Sequence, residues 1–133
     1  MKRLFDLERE VGVVTGALGK LGPIWVETLL EAGARVLALD RPGQPASPEF
    51  ERVQARFGPE QLALTFADVC IRSELEAGLA LCVKSFGTPT ILVNNAGIDA
   101  PPAAGGKGCR LEEIPLDVNL RILEVNAAGL FLV

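Results

Sequence analysis

Short apolar runs alternate with longer amphipathic ones along this chain. Val11-Gly12-Val13-Val14-Thr15 is rich in β-branched residues and stops at glycine, the pattern of a strand buried on both faces in a parallel sheet. After the glycine-punctuated stretch Gly16 to Gly22, Ile24, Trp25, Leu29 and Leu30 recur at helical spacing up to Gly33. Pro23 suits the first turn of that helix, where its missing N–H costs nothing, and Gly33 suits its stop. Arg35 to Asp40 predicts a second buried strand. Behind the proline-rich loop Pro42 to Pro48, Glu49 to Phe57 predicts a short helix. Leu62 to Phe66 predicts a third strand, leading into Ala67-Asp68-Val69. Ser73 to Phe86 sets Leu75, Leu79, Cys82, Val83 and Phe86 on one helical face. Thr90 to Val93 predicts a fourth strand that ends at Asn94-Asn95-Ala96-Gly97. Pro101 to Gly108 reads as a loop, and a last helix begins near Leu116 and still runs at Phe131-Leu132-Val133.

Strands alternating with helices build βαβ units and a parallel sheet. The expected fold class is therefore α/β: a Rossmann-type doubly wound parallel sheet in spatial order 3-2-1-4, truncated after the fourth strand and its following helix. Residues 1–133 would form one dinucleotide-binding domain, incomplete at its C-terminus.

Composition narrows the function. A chain that is 49% hydrophobic and 23% charged can bury a core. With a net charge of −4 and no histidine, it offers no electrostatic footprint for nucleic acid, no histidine base and no histidine metal ligand. Cys70, Cys82 and Cys109 form no metal-binding or Cys-x-x-Cys spacing, so they read as small core or loop thiols in a reducing compartment, and no metal site is expected. The N-terminus carries acids where a signal peptide needs an apolar run, and no stretch approaches a membrane span. A cytoplasmic protein without membrane partners is the expectation.

The chemistry-bearing motif is the glycine loop. A strand that turns through glycines directly into a helix aims backbone N–H groups and the positive end of the helix dipole at one spot, a setting for a pyrophosphate. Gly16, Gly19 and Gly22 would matter as missing side chains. Tight turns and close helix packing explain three glycines equally well, but the context adds weight: a buried strand precedes, a helix follows, and Asp40 ends the next strand. An acid there accepts hydrogen bonds from the adenosine ribose hydroxyls and repels a 2′-phosphate. That favours NAD, with NADP left open because Lys20 or Arg41 could pair with a phosphate.

These residues, in order and spacing, resemble a short-chain dehydrogenase/reductase. The likeness runs through Val14-Thr15-Gly16-Ala17-Leu18-Gly19-Lys20-Leu21-Gly22, then Asp68-Val69, then Ile91 to Ile98 with its Asn94-Asn95-Ala96-Gly97 run, then Leu123-Glu124-Val125-Asn126-Ala127-Ala128-Gly129-Leu130-Phe131. The resemblance implies that Gly16, Leu18, Gly19, Lys20, Leu21 and Gly22 hold the pyrophosphate, beside the ribose acid Asp40 and the phosphate-pairing candidate Arg41 already read from the fold. It places Asp68 and Val69 at the adenine and Asn95, Ala96 and Gly97 along the cofactor ribose. Asn126 would match the asparagine that helps hold a water in the family's proton relay.

One spacing departs from the family. The chain reads T-G-x-x-G-x-x-G where the standard branch reads T-G-x-x-x-G-x-G, a variant similar to the extended branch of nucleotide-sugar epimerases and dehydratases; the Asn94 to Gly97 run argues for the standard branch. The resemblance implies hydride transfer between a nicotinamide cofactor and an alcohol or carbonyl substrate, in a homo-oligomer when full length. The family's serine and Y-x-x-x-K lie beyond the helix that carries Asn126. The chain has no tyrosine, so the expectation is a cofactor-binding fragment inactive alone, with a dinucleotide-binding module without catalysis as the alternative. A cut there would also leave the fourth strand an exposed edge and show Ile122, Val125 and Leu130 to water or to a second copy.

Overall fold

The computed structural model describes residues 6–99 and 110–133. Its order is β1 (Val11–Thr15), α1 (Gly22–Glu31), β2 (Arg35–Asp40), α2 (Pro48–Phe57), β3 (Leu62–Phe66), α3 (Arg72–Ser85), β4 (Ile91–Val93) and α4 (Leu116–Leu123). A π-helical turn, Glu124–Gly129, continues α4 into a short α5 (Leu130–Leu132). All strand pairs are parallel and the sheet order is β3-β2-β1-β4, as the alternation predicts. Cys109 and the expected loop Pro101 to Gly108 lie outside the described residues.

The period of two along the strands divides the core. Val14, Val36, Ala38 and Leu62 face one way and pack with Val26 and Leu30 of α1 and Phe50 and Val53 of α2. Val11, Val13 and Leu37 face the other way, against Cys82 of α3 and Phe86, which caps that helix. A third cluster, Leu39, Ala67, Val69, Leu75 and Val125, closes the C-terminal end of the strands. Ser47 caps α2 by accepting the Phe50 N–H at 3.2 Å, and Pro48 occupies its first turn.

Two helical faces differ from expectation. In α1 the buried stripe is Gly22, Pro23, Val26 and Leu30, spaced by three and four, so Ile24 and Trp25 fall outside it and are exposed. In α3 the stripe runs through Leu75, Gly78, Cys82 and Phe86. Gly78 belongs to it because the helix comes so close that a Cβ there would stand 3.4 Å from Leu39 Cδ1; Leu79 and Val83 sit beside that contact, in solvent. Val125, expected in water, is buried in the third cluster, whereas Leu130 is exposed.

Candidate functional site

Glycine decides how β1 ends. Gly16 has φ +62°, and a Cβ on it would stand 2.8 Å from Ala96 Cα, so a side chain meets both backbone strain and a neighbouring chain segment. The turn then spends its first N–H groups internally: Ala17 N–H on Leu39 O, Gly19 N–H on Gly16 O, and Leu18 N–H on Asp40 Oδ2 at 2.7 Å. The donors left for an anion are those of Lys20, Leu21 and Gly22 at the start of α1. That start has no side-chain cap and no acid in its first turn, which leaves the positive end of the helix dipole uncompensated.

Asp40 is 8% exposed. Its Oδ2 holds the Leu18 N–H and its Oδ1 the Arg41 N–H at 2.8 Å, so it latches the glycine loop to β2 as well as lining the cleft. Arg41 reaches sideways, donating from Nε and Nη2 to Gln44 Oε1, both at 3.3 Å.

Thr15 and Asn95 tie β1 to the segment after β4. The buried Thr15 hydroxyl accepts the N–H groups of Asn95 and Ala96 at 3.1 and 3.0 Å and donates to Val93 O. The Asn95 amide donates to the carbonyls of Thr15 and Gly16. Asn94 instead donates to Leu130 O at 3.5 Å. Asn126, within the π-helical turn, clamps Ile98: its Oδ1 accepts the Ile98 N–H and its Nδ2 donates to the Ile98 carbonyl, both at 2.8 Å.

Asp68 follows β3. Its carboxyl is held below its ordinary value chiefly by the Cys70 N–H that donates to it at 2.9 Å, with Arg121 adding to the effect and burial opposing it. It therefore presents a carboxylate at neutral pH. Burial first, and then Asp68, raise the neighbouring Cys70 thiol, which leaves it a weak nucleophile.

These pieces border one cleft of about 440 Å³ along the C-terminal ends of the strands, within the roughly 300–1,000 Å³ of ligand pockets and where open α/β sheets bind ligands. Of the residues expected from sequence, Gly16, Gly19, Lys20, Leu21, Asp40, Arg41, Asp68, Val69, Asn95, Ala96 and Gly97 line it. Leu18, Gly22 and Asn126 do not. Leu18 is in the core with its N–H turned to Asp40, Gly22 packs against the carbonyls of Gly16 and Ala17, and Asn126 supports the wall through Ile98. Sequence reasoning missed Leu39, Gln44, Ala67, Ile98, Arg121 and Val125. Val125 and Ile98 lie within the family-like stretches without a role of their own there; Arg121 has no such signal, because its partner Asp68 is 53 positions away. A second groove, about 540 Å³, is bounded by α3, Ile91, Leu92 and Leu132 and is mostly apolar. Among the described residues no group of three or more His, Cys, Asp or Glu side chains could hold a metal ion, and no helix is long and apolar enough to cross a membrane.

Comparison with known proteins agrees with this geometry. The family model for short chain dehydrogenase matches residues 10–133. The 2-(R)-hydroxypropyl-CoM dehydrogenase of Xanthobacter autotrophicus is 31% identical over 122 residues, covering 92% of this chain and 47% of that protein. Momilactone A synthase of Oryza sativa subsp. japonica is 28% identical, with 92% of this chain and 42% of that protein covered. Among solved structures, a 3-ketoacyl-(acyl-carrier-protein) reductase from Brucella melitensis complexed with NADH superposes with a TM-score of 0.78 at 29% identity, covering 96% of this chain and 48% of that one. The chain thus spans less than half the length of these relatives.

Proposed function

Because this chain belongs to the short chain dehydrogenase family, we propose that its cleft binds a nicotinamide dinucleotide, the cofactor for hydride transfer between alcohol and carbonyl groups. Residues 1–133 would be the cofactor-binding domain of that machinery. The observation that carries this reading is convergence: the uncapped start of α1, the carboxylates of Asp40 and Asp68, and the Asn95-Ala96-Gly97 segment border a single cleft. The NADH complex of the Brucella reductase, alike in fold over 96% of this chain, supports it.

In this proposal the pyrophosphate meets the N–H groups of Lys20 and Leu21, with Gly16 and Gly19 giving the close approach. Asp40 accepts the adenosine ribose hydroxyls with the lone pairs that Leu18 and Arg41 leave, and Asp68 and Val69 border the adenine. Asn126 acts as a positioning residue: it holds Ile98, and with it the wall beside Gly97.

NAD is the cofactor we assign over NADP, since a 2′-phosphate would meet the Asp40 carboxylate while Gln44 holds the Arg41 guanidinium to one side. Asp40→Asn removes the charge and keeps an oxygen for the Leu18 latch; the bond that Oδ1 accepts from the Arg41 N–H is lost for both cofactors alike and cancels in their ratio. Two unit charges about 4 Å apart near a protein surface interact by about 4 kcal/mol. Allowing for salt screening, the variant's preference for NADH over NADPH should fall about tenfold or more. Calorimetric titration of both cofactors at fixed salt reads this directly, and a wild type that binds NADPH more tightly contradicts the assignment.

Binding should not bring turnover in this 133-residue chain. The proton relay implied by the family needs a tyrosine, the sequence contains none, and general acid–base catalysis contributes about 10²–10⁴-fold. We expect no change in nicotinamide absorbance when the purified chain meets a panel of alcohols with NAD and of ketones with NADH. Clear turnover would show that other residues carry the proton.

A further inference from the structure

The adenine end of the cleft is closed by a contact between distant parts of the chain. Arg121, on α4, donates from Nη2 to Asp68 Oδ2 at 3.2 Å and from Nη1 to Glu124 Oε2 at 2.6 Å. Beneath this pair Val69 packs with Val125, and Gly129 lies so close that a Cβ there would stand 2.7 Å from Val69 Cγ2. Arg121 and Asp68 both border the cleft.

The pair is half-exposed, with side chains 47% and 29% accessible, and such ion pairs add only about 0–1 kcal/mol to stability. Apolar packing already holds the helix against the turn. What the guanidinium adds is direction. A carboxylate has about four lone-pair sites; the Cys70 N–H takes one on Oδ1, Arg121 one on Oδ2, and the Cys70 thiol bonds the same carboxylate. With one oxygen fixed from each side the carboxylate cannot rotate, and the remaining lone pairs are acceptors only. An acceptor-only group at a purine edge admits a 6-amino group, which donates, and opposes a 6-oxo group, which does not.

We propose that Arg121 is a positioning residue for base recognition, fixing the Asp68 carboxylate so that the cleft selects adenine over a 6-oxopurine. This rests on the reading that Asp68 borders the adenine of a bound dinucleotide. The positive charge of Arg121 also attracts the dinucleotide's phosphates as a whole, but that attraction is the same for both bases and cancels in their ratio. The ratio of affinities therefore separates positioning from general electrostatics and from structural damage.

The test titrates NADH and reduced nicotinamide hypoxanthine dinucleotide into wild type, Arg121→Met and Arg121→Lys, each shown folded by circular dichroism. Wild type should prefer the adenine dinucleotide by about tenfold, the worth of roughly one hydrogen bond to a charged acceptor. Arg121→Met should bind both but bring the preference to within about threefold, and Arg121→Lys should restore part of it. An Arg121→Met variant that keeps the wild-type preference, weakening both ligands equally or neither, overturns the inference alone. A wild type that binds both dinucleotides equally does the same. A wild type that binds neither overturns it together with the proposed function.

Discussion

Gly22→Ala should cost this chain about 3 kcal/mol of stability, the upper end of the roughly 1–3 kcal/mol typical of overpacking. A Cβ on Gly22 would fall inside contact distance of the Ala17 and Gly16 carbonyls. Both are backbone atoms in a turn pinned by Leu39, Asp40 and Asn95, so they cannot swing aside as a flexible side chain would. The helix must lift instead, and lifting α1 opens the core where Val26 and Leu30 are 0% and 2% exposed. In a urea titration the midpoint should drop by on the order of 1–3 M at an unchanged slope, given slopes of about 1–3 kcal/mol/M for small proteins. An unmoved midpoint would mean that the close approach at Gly22 is not rigid.

Three residues earlier the same kind of change should do the opposite. Gly19 is exposed, is not among the glycines with positive φ, and a Cβ on it would meet only Gly16 O, at 3.3 Å. Gly19→Val should still fold, at a cost of about 1 kcal/mol, the low end of overpacking, because its Cβ only presses on Gly16 O where one on Gly22 would overlap outright. Its branched side chain would stand at the cleft mouth, where a pyrophosphate must approach the N–H groups of Lys20 and Leu21. Each hydrogen bond to a charged group contributes about 1.5–3 kcal/mol, so loss of one weakens dinucleotide binding about 10–100-fold. Matched circular dichroism and calorimetry of wild type and variant decide it; equal affinities in two folded proteins would remove the phosphate cradle from the account. The two glycines of one motif thus separate into one that builds the helix–strand junction and one that clears the cleft.

That division was not legible in the sequence, where Gly16, Gly19 and Gly22 carry the same reading. Strand and helix order was legible because each strand is a short apolar run stopped by glycine, asparagine or aspartate, and those stops put Asp40, Asp68 and Asn95 at one edge of a parallel sheet. Helix faces were harder. In α3 the helix meets the sheet partly through Gly78, which a search for large apolar residues passes over, so the pattern points to Leu79 and Val83 on a face they do not share. The second role of Asp40, holding the Leu18 N–H, was equally hidden, since periodicity places a side chain on a face without saying which backbone group it will meet. Arg121 lies further out of reach, because its meeting with Asp68 depends on how α4 crosses the turn after β3, a tertiary fact.

Equilibrium binding of NADH tests most directly whether the cleft is a dinucleotide site. The chain has one tryptophan, Trp25, and no tyrosine. Trp25 lies on α1 a single turn beyond Leu21, which lines the cleft, so protein emission reports from beside the proposed site. Titrating NADH into the folded chain should quench Trp25 emission saturably, with one NADH bound per chain and reversal by excess ADP. A folded chain whose Trp25 emission and calorimetric heat show no saturable response to NADH contradicts the account.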